Sequence, residues 1–174
     1  MKRRSSVLKK RFAIELLRKQ GCSEDIIQHC LAVSNNALKI VDKVNIPVNR
    51  DLIEIGAILH DIGRCRTQGI DHVTVGGEIA RQLGLPEEIA RIIERHIGAG
   101  IIAEEARVLG LPPRDYIPIT PEEKIVSYAD NLTIGLRMSS FEESLERFKR
   151  LLGEGHPAVA RFQSMHHELQ DWIN

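Results

Sequence analysis

The 174-residue chain carries 24 basic and 24 acidic side chains, a formal net charge of zero, with 43% hydrophobic and 28% charged residues. This balance excludes a disordered chain, a collagen-like repeat and a membrane-embedded bundle, and the length fits one domain that buries roughly 70% of its unfolded surface. No apolar run nears the roughly 18 to 20 residues that cross a bilayer, and the basic start at residues 1–6 lacks the apolar stretch of a signal peptide.

The neutrality hides a gradient. Eight bases (Lys2, Arg3, Arg4, Lys9, Lys10, Arg11, Arg18, Lys19) face one acid, Glu15, in residues 1–20, so the remainder is acidic. The first predicted element is a basic helix over about 7–20, with Leu8, Phe12, Leu16 and Lys19 on one side and a stop at Gly21. Ser23 is placed to cap a second helix over 24–44, whose apolar line is Ile26, Cys30, Val33, Ala37, Ile40, Val41 and Val44. A third runs from Arg50 or Asp51 to His60, with Leu52, Ile55, Ile58 and Leu59 inward, and ends near Gly63.

Residues 72–83 read as helix up to Gly84. The next helix has Pro86 in its first turn and carries Ile89, Ile92, Ile93, His96 and Ile97 at helical spacing. A short helix over 101–109 precedes a proline-rich loop, 110–120. Thr120-Pro121-Glu122-Glu123 is a capping box opening a helix expected to reach about Arg137. Ser140 begins a similar signal for a helix to Leu152, and a last helix ends near Trp172. No two-residue alternation and no Asn-Gly or Asp-Gly turn appears. The pattern predicts an all-α bundle of about seven to nine helices: a basic N-terminal helix at 1–20, a main domain at 21–137, and C-terminal helices at 138–174 packing on it.

The three cysteines, Cys22, Cys30 and Cys65, lack metal-thiolate spacing and point to neither a disulfide framework nor a zinc-thiolate site. A reducing, cytoplasmic setting is the expectation. The chemistry lies elsewhere. His60-Asp61 follows the apolar run 55–59 and precedes the breaker Ile62-Gly63, so an imidazole and a carboxylate stand together at the end of a core helix. Buried there they need partners, and one divalent metal ion satisfies both. His29 and His96 sit on apolar faces, where a single histidine reads equally well as a hydrogen-bonded core residue. Asp130, four residues after Val126 on an apolar-faced helix, is an unusual place for an unpaired carboxylate. The combination of four histidines and two aspartates converging on one end of several helices points to a metal site.

The order His29, His60-Asp61, His72, His96, Asp130 resembles the HD-domain superfamily of metal-dependent phosphohydrolases. Ala57-Ile-Leu-His-Asp-Ile-Gly63 is similar to its HDIG subgroup. The stretches from His72 to Arg81, Leu85-Pro86-Glu87 and Glu123 to Asp130 add to the likeness, which covers residues 20–137 and extends to small stand-alone archaeal-type members. It implies that His29, His60, Asp61 and Asp130 hold one divalent transition metal (Mn, Fe, Co, Ni or Zn). In two-metal relatives Asp61 would bridge, with His72 and His96 on the second ion. With one ion, His72 and His96 would position phosphate or act as general acid.

The implied activity is hydrolysis of a phosphate ester of a nucleotide or related small molecule by metal-activated water, as a phosphomonoesterase or phosphodiesterase. Two departures stand out. Arg64 occupies a position where some members carry lysine, and its guanidinium suits a two-pronged grip on phosphate. Ile97 stands where two- and three-metal members often have a second histidine. The GYP motif is absent, so the likeness does not imply cyclic-di-GMP hydrolysis. A dinucleoside polyphosphate hydrolase with two metals is a second reading, and a nucleotide- or RNA-binding module using the basic N-terminus is a third. Arg114 and Arg137 are further candidates for phosphate contact, while His156, His166 and His167 lie beyond the likeness, with His166 and His167 expected at the surface.

Overall fold

The computed structural model describes the backbone of residues 2–174 and the side chains of residues 9–174. The side chains of Lys2, Arg3, Arg4 and Leu8 therefore lie outside the described residues. Nine α-helices are present among the described residues: α1 (Lys2–Gln20), α2 (Glu24–Val41), α3 (Arg50–Leu59), α4 (His72–Gln82), α5 (Glu87–Arg95), α6 (Ala103–Val108), α7 (Pro121–Asn131), α8 (Phe141–Leu152) and α9 (Pro157–Ile173). A 3-10 turn, Ile62–Cys65, follows α3, and a small hairpin, β1 (Thr133–Ile134) with β2 (Arg137–Met138), follows α7.

Local chemistry starts these helices where the sequence places them. Ser23 accepts from the Ile26 amide, Asn49 from Leu52, Thr120 from Glu123 and Ser140 from Glu143, each satisfying a first-turn N–H. Thr120 and Glu123 complete a reciprocal capping box.

Two cores result. One joins α2, α3, α5 and α7 to the C-terminal helices through Val33, Ile53, Ile92, Ile125, Phe148 and Phe162. The other joins α1 to α2, α3, the 3-10 turn, α4 and α5 through Leu17, Ile27, Cys30, Ile58, Ile62 and Ile93. Phe148 and Phe162 stack at 4.6 Å between ring centres, tying α8 and α9 to the bundle.

Three expectations are corrected. The inward face of α1 is Ala13, Leu16 and Leu17, while Phe12 is 55% exposed. The 13, 16, 17 line keeps helical spacing and lies about one residue further round than the expected side. Helix α7 stops at Asn131 rather than Arg137 because side chains capture its terminal carbonyls. Thr133 donates to Ala129 at 2.7 Å, Ser144 and Arg147 donate to Asn131 at 2.9 and 3.0 Å, and Ser139 donates to Leu132 at 2.8 Å. The chain then turns through Gly135-Leu136 with Gly135 at φ +62°, a two-residue hairpin loop with glycine first, which a search for Asn-Gly or Asp-Gly passes over. The third correction is His166, which is half-buried: its ring stacks on Phe141 at 3.6 Å and its Nδ1 meets the Tyr128 hydroxyl at 2.5 Å. His167 is exposed.

Candidate metal centre

Six side chains converge from five places in the fold: His29 from α2, His60 and Asp61 from the end of α3, His72 from the start of α4, His96 just after α5, and Asp130 near the end of α7. Each histidine stands where its helix meets the others, so helix packing alone brings the rings together. The centres of His60 and His29 lie 5.3 Å apart, His60 and His96 4.7 Å, and His72 and His96 5.2 Å.

Asp61 is the hub, and its two oxygens face different partners. Oδ2 lies 3.7 Å from His60 Nε2 and 3.9 Å from His29 Nε2. Oδ1 lies 3.3 Å from His72 Nε2 and 3.5 Å from His96 Nε2. Asp130 Oδ1 closes the first group, 3.1 Å from His29 Nε2 and 3.6 Å from His60 Nε2. Three overlapping triads (His29, His60, Asp61; His60, His96, Asp130; Asp61, His72, His96) each have their ligand atoms within 4.8 Å of one another. Arg64, on the 3-10 turn, donates from Nε to Asp61 Oδ2 at 2.9 Å.

The histidine tautomers are set from behind. Nδ1 of His60 lies 2.7 Å from the Ala57 carbonyl, that of His72 2.7 Å from Gly69, and that of His96 2.7 Å from Ile93. A carbonyl only accepts, so each Nδ1 carries a proton and each Nε2 faces inward, the nitrogen a metal would take. His60 is fully buried, and both its Nε2 and Asp61 Oδ1 lack any hydrogen-bond partner. Leaving such groups unsatisfied costs about 1–3 kcal/mol each. A divalent ion removes both penalties at once, and a nitrogen and oxygen donor set suits Mn, Fe, Co, Ni or Zn. The residues fit a metal.

Electrostatics support the same use. Burial opposes ionisation of Asp61, but the nearby His60 and His96 imidazoles outweigh it and hold the carboxyl below its usual range. Burial likewise opposes the Asp130 carboxylate, and the His29 hydrogen bond together with the neighbouring His60 overcomes it. Burial and the neighbouring His96 push His72 down to about 4, so it is neutral and able to donate its lone pair at physiological pH. His60 moves the other way: burial disfavours its charge, yet Cys30, Asp61 and the Asp130 carboxylate 3.6 Å away raise its pKa well above the ordinary value.

In the metal-free protein His60 is therefore protonated beyond pH 6.5, and a metal must displace that proton. Metal uptake is expected to release protons, and apparent affinity to rise with pH until the raised His60 pKa is passed. Calorimetry in buffers of different ionisation enthalpy checks this; proton uptake on metal binding would contradict it.

A cleft of about 710 Å³ opens beside the cluster and shares Arg64 and Asp130 with it. Ile97 is part of its wall, together with Asn131, Arg147, Phe148, His156 and Arg161. Arg114 and Arg137 do not join the cluster: Arg114 is held by Glu94 at 2.7 Å, and Arg137 is paired with Glu143. The C-terminal contributors Arg147 and Arg161 went unnoticed in the sequence, because no motif surrounds them and only the packing of α8 and α9 brings them to the cleft.

The HD-domain family model matches residues 26–135. The chain belongs to the HD-domain family. Relatives of this HD protein include the uncharacterized protein MJ0778 of Methanocaldococcus jannaschii, 47% identical over 158 residues, covering 89% of this chain and 94% of that protein. The tRNA (cytidine(56)-2'-O)-methyltransferase of Picrophilus torridus is 41% identical over 154 residues, covering 88% of this chain but 44% of the methyltransferase. Ribonuclease Y of Thermotoga maritima is 30% identical over 133 residues, 74% of this chain and 23% of the ribonuclease. The chain thus spans under half of the length of both enzymes named for RNA. The HD domain of the L. monocytogenes phosphodiesterase PgpH, in complex with cyclic-di-AMP, shares the fold with a TM-score of 0.55 at 16% identity, covering 88% of this chain and 92% of that one. No helix among the described residues is long and apolar enough to cross a membrane.

Proposed function

We propose that this HD protein is a metal-dependent phosphohydrolase that cleaves a phosphate ester of a nucleotide or a closely related molecule. The observation that carries the proposal is Asp61, whose two oxygens face two histidine sets while Oδ1 and His60 Nε2 have no other partner. His29, His60, Asp61 and Asp130 would hold one ion, and His72, His96 and the second oxygen of Asp61 another. Bound there, divalent metal lowers the pKa of water and neutralises charge on a phosphate.

The chain's own groups do the rest. The Ala57, Gly69 and Ile93 carbonyls hold three rings in the binding tautomer. Arg64 spends Nε on Asp61 and lines the cleft, which leaves the terminal nitrogens of its guanidinium to receive phosphate oxygens. Asp61 is only 5% exposed, so the packing around it keeps bulk water from the hub.

The named activities of ribonuclease Y and of PgpH, whose HD domain is seen with a cyclic dinucleotide, support a nucleotide substrate. The test is a panel of mononucleotides, dinucleotides and dinucleoside polyphosphates with Mn, Co or Ni added, run beside metal analysis of the purified protein. Turnover with bound transition metal is the expected result. A protein that takes up no metal and hydrolyses nothing would refute the proposal. Two ions per chain would favour the two-metal reading, including dinucleoside polyphosphates, over a single-metal phosphomonoesterase.

A binding role in RNA metabolism is the second reading, favoured by the basic residues of the N-terminal helix and by relatives named for tRNA and RNA. It predicts RNA binding that falls steeply with salt and disappears when residues 1–11 are removed. Salt-insensitive retention after that truncation would reject it.

A further inference from the structure

The cleft beside the metal centre is partly built from residues beyond 135, outside the region that matches the family model. One side is the end of α6, with Val108 and Leu109; the other is the end of α8, with Leu151 and Leu152. These four side chains are 76%, 46%, 74% and 45% exposed, an unusual concentration of large apolar groups around one opening. Ile70, Ile97, Ile101 and Phe148 continue the apolar lining inward. The volume, about 710 Å³, lies within the range of roughly 300–1,000 Å³ typical of small-molecule sites.

The cations of the cleft are not equivalent. Arg64 is engaged by Asp61. Arg161 is engaged by Glu105 at 2.7 Å and by the Gly100 carbonyl at 3.0 Å. His156 uses Nδ1 to cap α9. Arg147 differs in its partners: among the described residues no carboxylate lies within ion-pair distance of it, and only the field of Glu143, one helical turn earlier, reaches it. Its Nε, like that of Arg161, is buried without a hydrogen-bond partner. One terminal nitrogen donates to the Asn131 carbonyl at 3.0 Å. That bond fixes the guanidinium one residue along α7 from Asp130, on the cleft side of the cluster. An arginine without a direct carboxylate contact at the wall of an apolar cleft is suited to an anion supplied by a ligand.

We infer that the cleft between α6 and α8 seats the non-reacting part of the substrate, and that Arg147 is a specificity residue gripping a second phosphate there. The substrate class is a nucleotide with at least two separated phosphates, a dinucleotide or an oligonucleotide end, whose base lies against the apolar rim. This inference rests on the phosphohydrolase reading for the position of the scissile phosphate, but the binding it describes does not require metal.

Two measurements on the full-length protein separate the two ideas. In the first, the linear dinucleotide pApA is titrated into metal-free protein of the wild type and of Arg147→Gln, Arg147→Lys and Leu151→Asp. Arg147→Gln is expected to weaken binding on the order of 10- to 100-fold, the value of a charge-assisted hydrogen bond. Arg147→Lys should restore part of it, because a point charge replaces the fork. Leu151→Asp should also weaken it. The Asn131 carbonyl keeps Ser144 as donor in the Gln and Lys variants, so α7 stays capped, and Leu151 is exposed enough to leave folding intact.

In the second measurement, metal-loaded protein is assayed on p-nitrophenyl phosphate, which has one phosphate and no base, and on pApA. Arg147→Gln should raise KM for pApA and lower kcat/KM on pApA by a larger factor than on p-nitrophenyl phosphate, so that the ratio of the two specificity constants falls. Equal pApA binding by wild type, Arg147→Gln and Leu151→Asp overturns the inference, as does failure of the wild type to bind pApA while hydrolysing p-nitrophenyl phosphate. Binding that depends on Arg147 in a protein with no hydrolysis of either compound supports the cleft assignment and refutes the phosphohydrolase reading instead.

Discussion

Asp61→Ala is expected to abolish hydrolysis, lowering kcat/KM by at least roughly 10³-fold, and to strip the protein of metal. Asp61 lies within 4 Å of all four histidines: its two oxygens span from His60 and His29 on one side to His72 and His96 on the other. Alanine also frees Arg64 from its 2.9 Å bond and leaves buried imidazoles with no anion at the hub. Asp61→Asn keeps the shape and removes the charge, so it distinguishes lost ligation from lost packing. Metal content by mass spectrometry and kcat/KM on the nucleotide panel decide the matter; wild-type metal content in Asp61→Ala would show that the hub lies elsewhere. His72→Ala is a graded companion, expected to remove the ion on the Oδ1 side and spare the other.

Gly63→Ala should be the most destabilising small substitution near the site, at a cost of at least about 3 kcal/mol. A Cβ at Gly63 would lie 1.9 Å from the His72 carbonyl oxygen and 2.8 Å from the Gly76 amide nitrogen. Both are backbone atoms at the start of α4, so no rotamer change relieves the clash. The 3-10 turn carrying Arg64 and the helix carrying His72 must move apart, and the Oδ1 side of Asp61 loses its geometry with them. For a chain of this size the loss corresponds to a melting temperature lower by roughly 6–12 °C. Gly155→Ala, where a Cβ meets nothing within 4 Å, is the control and should leave the melting curve nearly unchanged. A Gly63→Ala protein that melts with the wild type would contradict the close backbone approach.

The glycine of the His-Asp-Ile-Gly stretch is thus as much a part of the centre as the ligands, yet its reason was not visible along the chain. Sequence marks Gly63 as a breaker; that it lets the 3-10 turn touch α4 depends on residues nine and thirteen places further on. Phe12 makes the same point. Helical spacing put Phe12 on the inward side with Leu8 and Leu16, but the face carrying Ala13, Leu16 and Leu17 is inward because it meets Ile27, Ile62 and Ile79. The hairpin after α7 was hidden for a local reason, a Gly-Leu turn in a segment whose apolar spacing is compatible with helix.

Composition, caps and helical spacing were sufficient to determine a helical protein, and the motif order was sufficient to nominate His29, His60, Asp61, His72, His96 and Asp130. Those are properties of local hydrogen bonding and of residue chemistry, which neighbours in sequence carry. Tertiary structure alone decided how the six share space: which Asp61 oxygen faces which histidines, which ring nitrogen is free, and which buried atoms lack partners. It alone brought Arg147, Leu151 and Leu152 to the cleft beside residues from α6 and α7. The physical reason is that such contacts join residues far apart in sequence. Their energy comes from desolvation and charge pairing across packed helices, terms that exist only once the chain has folded.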